Sequence, residues 1–421
     1  MQTRYNLDVI FLLLLLGAAT AAEPQVQPEL AKRYFEEATK LCERDAGRLW
    51  GVSLCGPMVI VDQATGKHVT SQPEPDGQPP PRFPRFVDGP VSWGGTRWFS
   101  FPLYMLPEKD AEARQQVMIH GLFHRIQPEL GLMTEDGFNE HLDTLEGRVW
   151  IQLEWRALRR AVESSGSDRA GAIADALAFR RERRRRFTGA ADNERRDEIR
   201  EGLASYTGIA AWANSPADAH RAAAFALAGG ETQTSFVGNF EAASGPAYGV
   251  LLDDLMPGWR RQVRSSSDLG DMLAAAIRRP PTTDVAVAAA RYDGATLRAA
   301  EEARDRALQA RVAELRRRFV DGPVLTMPAA GSGSSDTRDN VGIPGVGTVF
   351  FHNFTLSARW GRLNADNGVL RSGDGMTLTV PVTRPLEGTT LQGDGWTITL
   401  NAAWVVRPAA RAGSFTIVRG N

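Results

Sequence analysis

The apolar pattern of this chain changes period once, and the change falls at a stretch that a packed core cannot use. Residues 329–346 contain Ala-Ala-Gly-Ser-Gly-Ser-Ser with further Gly and Pro, a composition that buries little and reads as a flexible linker. Before it, apolar residues recur mainly at helical spacing. Beyond it, Val349 to Ala358, Met376 to Val382, Thr389 to Leu400, Trp404 to Arg407 and Ser414 to Arg419 alternate apolar and polar residues between Gly, Asn and Asp turns. Such a chain is expected to fold as two units, and 421 residues with 43% apolar content suffice for more than one core. The second unit, 347–421, is predicted to be a small all-β sandwich or barrel.

The first unit, 23–328, is predicted to be α+β: mainly helical, with a small N-terminal sheet. Pro28 to Leu49 places Leu30, Tyr34, Ala38 and Leu41 on one helical face. Pro57 to Asp62 and Lys67 to Thr70 flank a turn as a hairpin, residues 71–85 suit an exposed loop, and Gly95 to Leu106 is dense in strand formers. Helices are then expected at Pro107 to Gln127, ended by Pro128, and at Gly147 to Glu163, Ala170 to Arg185 and Asn193 to Ala213. Others are expected at Pro246 to Val263, Asp268 to Ile277 and Asp293 to Phe319. The last is expected to pack on the first unit rather than form a coiled coil.

Met1 to Asp8 carries one arginine, Val9 to Leu16 is an unbroken apolar run, and Ala19-Thr20-Ala21 offers small residues at cleavage spacing. This reads as a signal peptide over 1–22, cleaved near Ala21/Ala22, and implies an exported protein, periplasmic or secreted. No later apolar run reaches the roughly 20 residues that cross a bilayer, so the mature chain is expected to have no membrane span. Cys42 and Cys55, the only cysteines, are expected to form one disulfide in that compartment. A net charge of -1 gives no general attraction to nucleic acid, and none is expected as a partner. The run Arg180-Arg181-Glu182-Arg183-Arg184-Arg185-Arg186 has no interleaved aromatics and reads as a solvated helix end.

His120-Gly121-Leu122-Phe123-His124 lies inside the helix expected before Pro128, so its two imidazoles stand one turn apart on one face, a spacing that holds two ligands on one metal. Met118, Ile119, Leu122 and Phe123 make that helix apolar, and buried imidazoles need partners. A third ligand should come from elsewhere, because zinc prefers four-coordinate geometry with one position open. Glu201, in Glu201-Gly-Leu-Ala-Ser-Tyr206, is the first candidate; Glu154 and the His141 to Asp143 cluster are the others. Their ordinary readings are an arginine pair for Glu154 and a helix cap for His141, and no metal at all stays open. Tyr248, in Ser244-Gly-Pro-Ala-Tyr248-Gly249, is either a donor toward an oxyanion in the cleft or a core residue behind a helix-start turn. His68, His220 and His352 read as surface or structural residues.

Histidines four apart on a helix, with Glu-Gly-Leu-Ala-x-Tyr on a later one, resemble the gluzincin zinc metallopeptidases, whose pattern is HExxH plus a downstream glutamate. The resemblance implies a zincin-like first domain, Zn2+ held by His120, His124 and Glu201, and a peptide or protein as substrate or ligand. Two positions depart from the family pattern. Gly121 stands where the family's general-base glutamate belongs, and a positioned base contributes about 10² to 10⁴ in rate. Ser205 stands where thermolysin-like members place an acid that orients a ligand imidazole, a task a serine performs more weakly. The long interval between His124 and Glu201 calls for an inserted pair of helices. Two functions are therefore expected as rivals: an exported peptidase-like zinc protein with weak or absent hydrolysis, and a non-enzymatic exported binding protein without metal. Neither reading sets an oligomeric state.

Overall fold

A computed structural model describes residues 26–84, 87–277, 284–336 and 339–420. The predicted signal peptide, 1–22, lies outside the described residues. The chain is α+β and divides into two compact units, the first ending at Ala295 and the second beginning at Thr296.

The first unit opens with α1 (Pro28–Asp45), which has proline in its first turn. Cys42, near its end, is disulfide-bonded to Cys55, which ties the helix to the segment entering the sheet. The sheet comprises β1 (Met58–Val61), β2 (His68–Thr70), β3 (Gly89–Trp93) and β4 (Thr96–Pro102) in the order β2-β1-β4-β3. The β1–β2 hairpin pairs Val59 with Thr70, and Asp62 Oδ1 accepts from the amides of Ala64 and Thr65 in its turn. The expected 71–85 loop leads to a strand the sequence reading missed, β3, which forms the edge beside β4. Alternation along β4 sends Trp98 into a cluster with Val59, Val61, Phe83 and Trp93. Phe99 and Phe101, one pleat away, face helix α2 (Ala111–Ile126).

Asp110 caps α2, accepting from the Ala113 amide, so the helix begins later than Pro107. Then come α3 (Leu145–Glu163), α4 (Gly166–Arg186) and α5 (Ala190–Asp197). A π-helical turn (Glu198–Gly202) follows, and α6 (Leu203–Trp212) continues from it, so the single helix expected over 193–213 is interrupted. The unit continues with α7 (Pro216–Glu231), α8 (Phe240–Leu255), α9 (Leu269–Ala276) and α10 (Val285–Ala290). Glycines let two pairs of these elements meet closely. A Cβ at Gly208 would lie 2.6 Å from the Gln116 carbonyl of α2, and one at Gly245 would collide with the Gly202 backbone. The Gly245-Pro246 pair therefore lies within α8 rather than at its start.

The arginine run is not a solvated end. Arg180 and Arg183 are buried, and Arg180 makes two hydrogen bonds to Glu198, at 2.6 and 2.5 Å. Arg183 binds Glu194 through two nitrogens and Glu154 through a third. Arg184 reaches Glu194 and Asp268, while Arg181, Arg185 and Arg186 remain exposed. Buried ions persist only when paired, so this network fixes α4 against α3, α5 and the π turn.

The second unit contains α11, which spans Gly294–Arg316 and groups with this unit apart from its first residues rather than with the first. Leu315 at its end and Phe319 just beyond it pack with Ile343, Val349, Phe351 and Leu370. One sheet has the order β15-β16-β5-β12-β11-β8-β7: Trp404–Pro408, Phe415–Arg419, Val324–Pro328, Thr377–Pro381, Val369–Ser372, Gly347–Phe350 and Val341–Ile343. The other has the order β13-β14-β10-β9-β6: Thr390–Gly393, Trp396–Leu400, Gly361–Ala365, His352–Ala358 and Gly331–Asp336. Leu325, Val380 and Ile417 of the first and Leu356, Leu363 and Ile398 of the second share one core, which makes the unit a sandwich. The expected linker, 329–346, instead supplies β6 and β7. A Cβ at Gly331 or Gly333 would collide with β9 carbonyls, so glycine there serves close strand pairing rather than flexibility.

Candidate metal centre

His120 and His124 occupy successive turns of α2, and the helical repeat turns both imidazoles the same way. Glu201 arrives from the π turn, a local widening of the helix that recurs at functional sites. The two Nε2 atoms lie 3.0 Å apart, and Glu201 Oε2 lies 3.3 Å from that of His120 and 3.1 Å from that of His124. Among the described residues this is the one cluster of three or more His, Cys, Asp or Glu side chains spaced to share a cation. The side chains remain 23%, 14% and 29% exposed for His120, His124 and Glu201, enough for an ion to enter from solvent. Three helices, α3, α4 and α5, fill the long interval between His124 and Glu201, where a pair was expected.

Each member is held from behind. Ser205 Oγ lies 3.3 Å from His120 Nδ1, Gln127 Oε1 lies 2.9 Å from His124 Nδ1, and Arg200 Nε lies 3.1 Å from Glu201 Oε1. Arg200 in turn pairs with Asp136 and Asp197. Such outer partners orient ligands and tune their basicity. Burial pushes the Glu201 carboxyl up, but the imidazoles of His120 and His124 outweigh it and hold the group well below the usual carboxylate range. Burial disfavours a charged His124, and the Glu201 carboxylate overrides that and raises it. Both shifts have one cause, the close approach of the Glu201 carboxylate to the imidazoles.

The position after His120 is filled, not vacant. A Cβ on Gly121 would stand 2.5 Å from a ring carbon of Phe99 and 2.5 Å from one of Phe101, so this glycine lets α2 lie directly on β4. No side chain fits there without displacing both rings. Glu241, at the start of α8, is a second acid in this region: it is 5% exposed and its Oε2 has no hydrogen-bond partner among the described residues. Burial, with Asp197 and Glu201 acting in the same sense, pushes its carboxyl up to about 8.

Tyr248 does not reach the cluster. It is fully buried, and its hydroxyl donates to Glu154 Oε1 at 2.7 Å, which corrects the oxyanion-donor expectation in favour of a core role. Burial and the Glu154 carboxylate hold that phenol well above its ordinary range. Glu154 is spoken for by Arg180, Arg183 and Tyr248. His141 pairs with Glu194 at 2.8 Å, while Asp143 accepts from Ser235 and the Phe236 amide, so neither is brought to the histidine pair. The cap of α3 is Thr144, not His141. Gln127 and Arg200 went unremarked in the sequence, although each stands within one helical turn of a ligand position. No family profile, curated protein or solved structure matches the chain.

Proposed function

We propose that this is an exported zinc-binding protein of gluzincin-like layout in which His120, His124 and Glu201 hold the ion and peptide hydrolysis is weak or absent. The observation that carries the reading is the convergence of two imidazole nitrogens and one carboxylate oxygen within 3.0–3.3 Å, each backed by its own partner. Two histidines and one glutamate make a donor set suited to zinc, with a fourth position left for an outside ligand. Zinc bound there would supply Lewis acidity toward a carbonyl or carboxylate oxygen. The chain's own side chains supply less: the place of the base is taken by Phe99 and Phe101, and Tyr248 points into the core. That packing favours a metal-binding site over turnover. Disulfide-bonded Cys42 and Cys55 support export, and no helix among the described residues is long and apolar enough to cross a membrane.

Metal analysis of the mature chain tests this. About one zinc per chain, lost in His120→Ala and Glu201→Gln, is expected. A broad peptide library should show little or no zinc-dependent cleavage by the wild type. No bound zinc after loading would end the metal reading and leave a non-enzymatic binding protein, and rapid cleavage would overturn the claim of a disarmed site.

A further inference from the structure

We infer that Gln127 is the positioning residue of the centre, fixing the tautomer of His124 while gripping the turn that carries Glu201; the inference rests on the zinc reading for its purpose, not for its geometry. Gln127 closes α2 and is 1% exposed. Its Nε2 stands 3.2 Å from the carbonyl oxygen of Leu132, 3.3 Å from that of Ile199 and 3.0 Å from that of Arg200. Carbonyls only accept, so this end of the amide must be the donor; the flipped amide would set its oxygen against three others. The opposite end, Oε1, therefore faces His124 Nδ1 at 2.9 Å and can only accept.

A hydrogen must then reside on Nδ1. Glu201 Oε2, 3.1 Å from Nε2, only accepts as well, so each ring nitrogen of the metal-free His124 faces an acceptor; when zinc takes the place of the Nε2 hydrogen, the hydrogen held on Nδ1 by Gln127 leaves Nε2 as the ligating nitrogen. Ile199 and Arg200 belong to the π turn of Glu201, and Leu132 belongs to the loop after α2. One side chain thus ties three segments together and presents His124 for ligation by the correct nitrogen. Ser205 Oγ stands 3.3 Å behind His120 Nδ1, but a hydroxyl both donates and accepts and so does not set which nitrogen of that ring carries the hydrogen.

Two substitutions separate the functions of the amide. Gln127→Glu keeps an acceptor for Nδ1 and removes the donors; Gln127→Met removes both. If the acceptor sets ligation, Gln127→Met weakens zinc binding by about 10–100-fold while Gln127→Glu retains most of it. A loss in Gln127→Glu as large as that in Gln127→Met, or no loss in either, would overturn the inference, since a clamp on the π turn alone makes Gln127→Glu, which sets an oxygen against the three carbonyls, at least as damaging. The wild type provides an independent readout: nitrogen NMR of the zinc-loaded, histidine-labelled chain should show His124 bound through Nε2 with its hydrogen on Nδ1. Zinc bound through Nδ1 of His124 would overturn the inference outright. Should the wild type bind no zinc, the zinc reading falls, and the metal-free spectrum still decides the role of Gln127: a His124 Nδ1–H signal that Gln127→Met leaves unchanged would overturn the inference.

Discussion

Replacing Gly121 by alanine should destabilise the protein although alanine is the better helix former. The added Cβ would sit 2.5 Å from a carbon of each ring, Phe99 and Phe101, where carbon atoms normally rest about 3.5–4.0 Å apart. Each ring must retreat by about 1 Å. They are 1% and 0% exposed, with centroids 4.8 Å apart, so neither has free space behind it. Overpacking of this kind costs about 1–3 kcal/mol, and the helix gains about 1 kcal/mol from losing a glycine. The net is a loss of up to about 2 kcal/mol. Gly171 supplies the matched control: it lies within α4, exposed, with nothing within 4 Å of its added Cβ. Gly171→Ala should gain up to about 1 kcal/mol, so the two variants differ by about 1–3 kcal/mol, a difference from which helix propensity cancels. Urea unfolding measures both as midpoint shifts at unchanged slope. Equal shifts in the same direction would refute the packing argument and reopen the position after His120 as a vacancy. If the argument holds, Gly121→Glu alone cannot restore a base, and the rescue must also shorten both Phe99 and Phe101.

Arg183→Met should cost on the order of 3–5 kcal/mol, because it strips partners from the buried carboxylates of Glu154 and Glu194; a change below 1 kcal/mol in urea unfolding would contradict the pairing. Glu241 makes stability depend on pH. Its folded-state carboxyl titrates near 8, raised from 4.5, so the folded chain keeps a proton that the unfolded chain releases as pH rises between those values. Stability of the metal-free protein should therefore fall with rising pH across that window, by up to about 1.4 kcal/mol per unit from this group. Glu241→Gln should flatten that slope, and an unchanged slope would exclude Glu241 as its source.

Much of the architecture was legible. Pro28 and the spacing of Tyr34, Ala38 and Leu41 marked α1, and the alternation beyond 347 marked the sandwich, because local periodicity reports burial directly. Helix α7 was passed over although Ser215 and Pro216 form a good start signal, since its alanine-rich face shows little amphipathic contrast. Residues 331–336 failed as a linker because pairing to β9 depends on backbone access, which composition does not display. At the site, helical spacing brought His120 and His124 together on paper, and the need for a third ligand from another element made Glu201 the first candidate. The same reasoning could not see that Gly121 faces two rings of β4, or that Tyr248 turns toward Glu154: both depend on how helices cross, a tertiary matter outside any local pattern.

Anomalous scattering at the zinc edge, from crystals of the zinc-loaded mature chain, addresses the centre most directly. One peak is expected, about 2.0–2.1 Å from Nε2 of His120 and of His124 and about 2.0–2.2 Å from Oε2 of Glu201. A loaded crystal with no peak among those three atoms, or with zinc bound only elsewhere, would contradict the account.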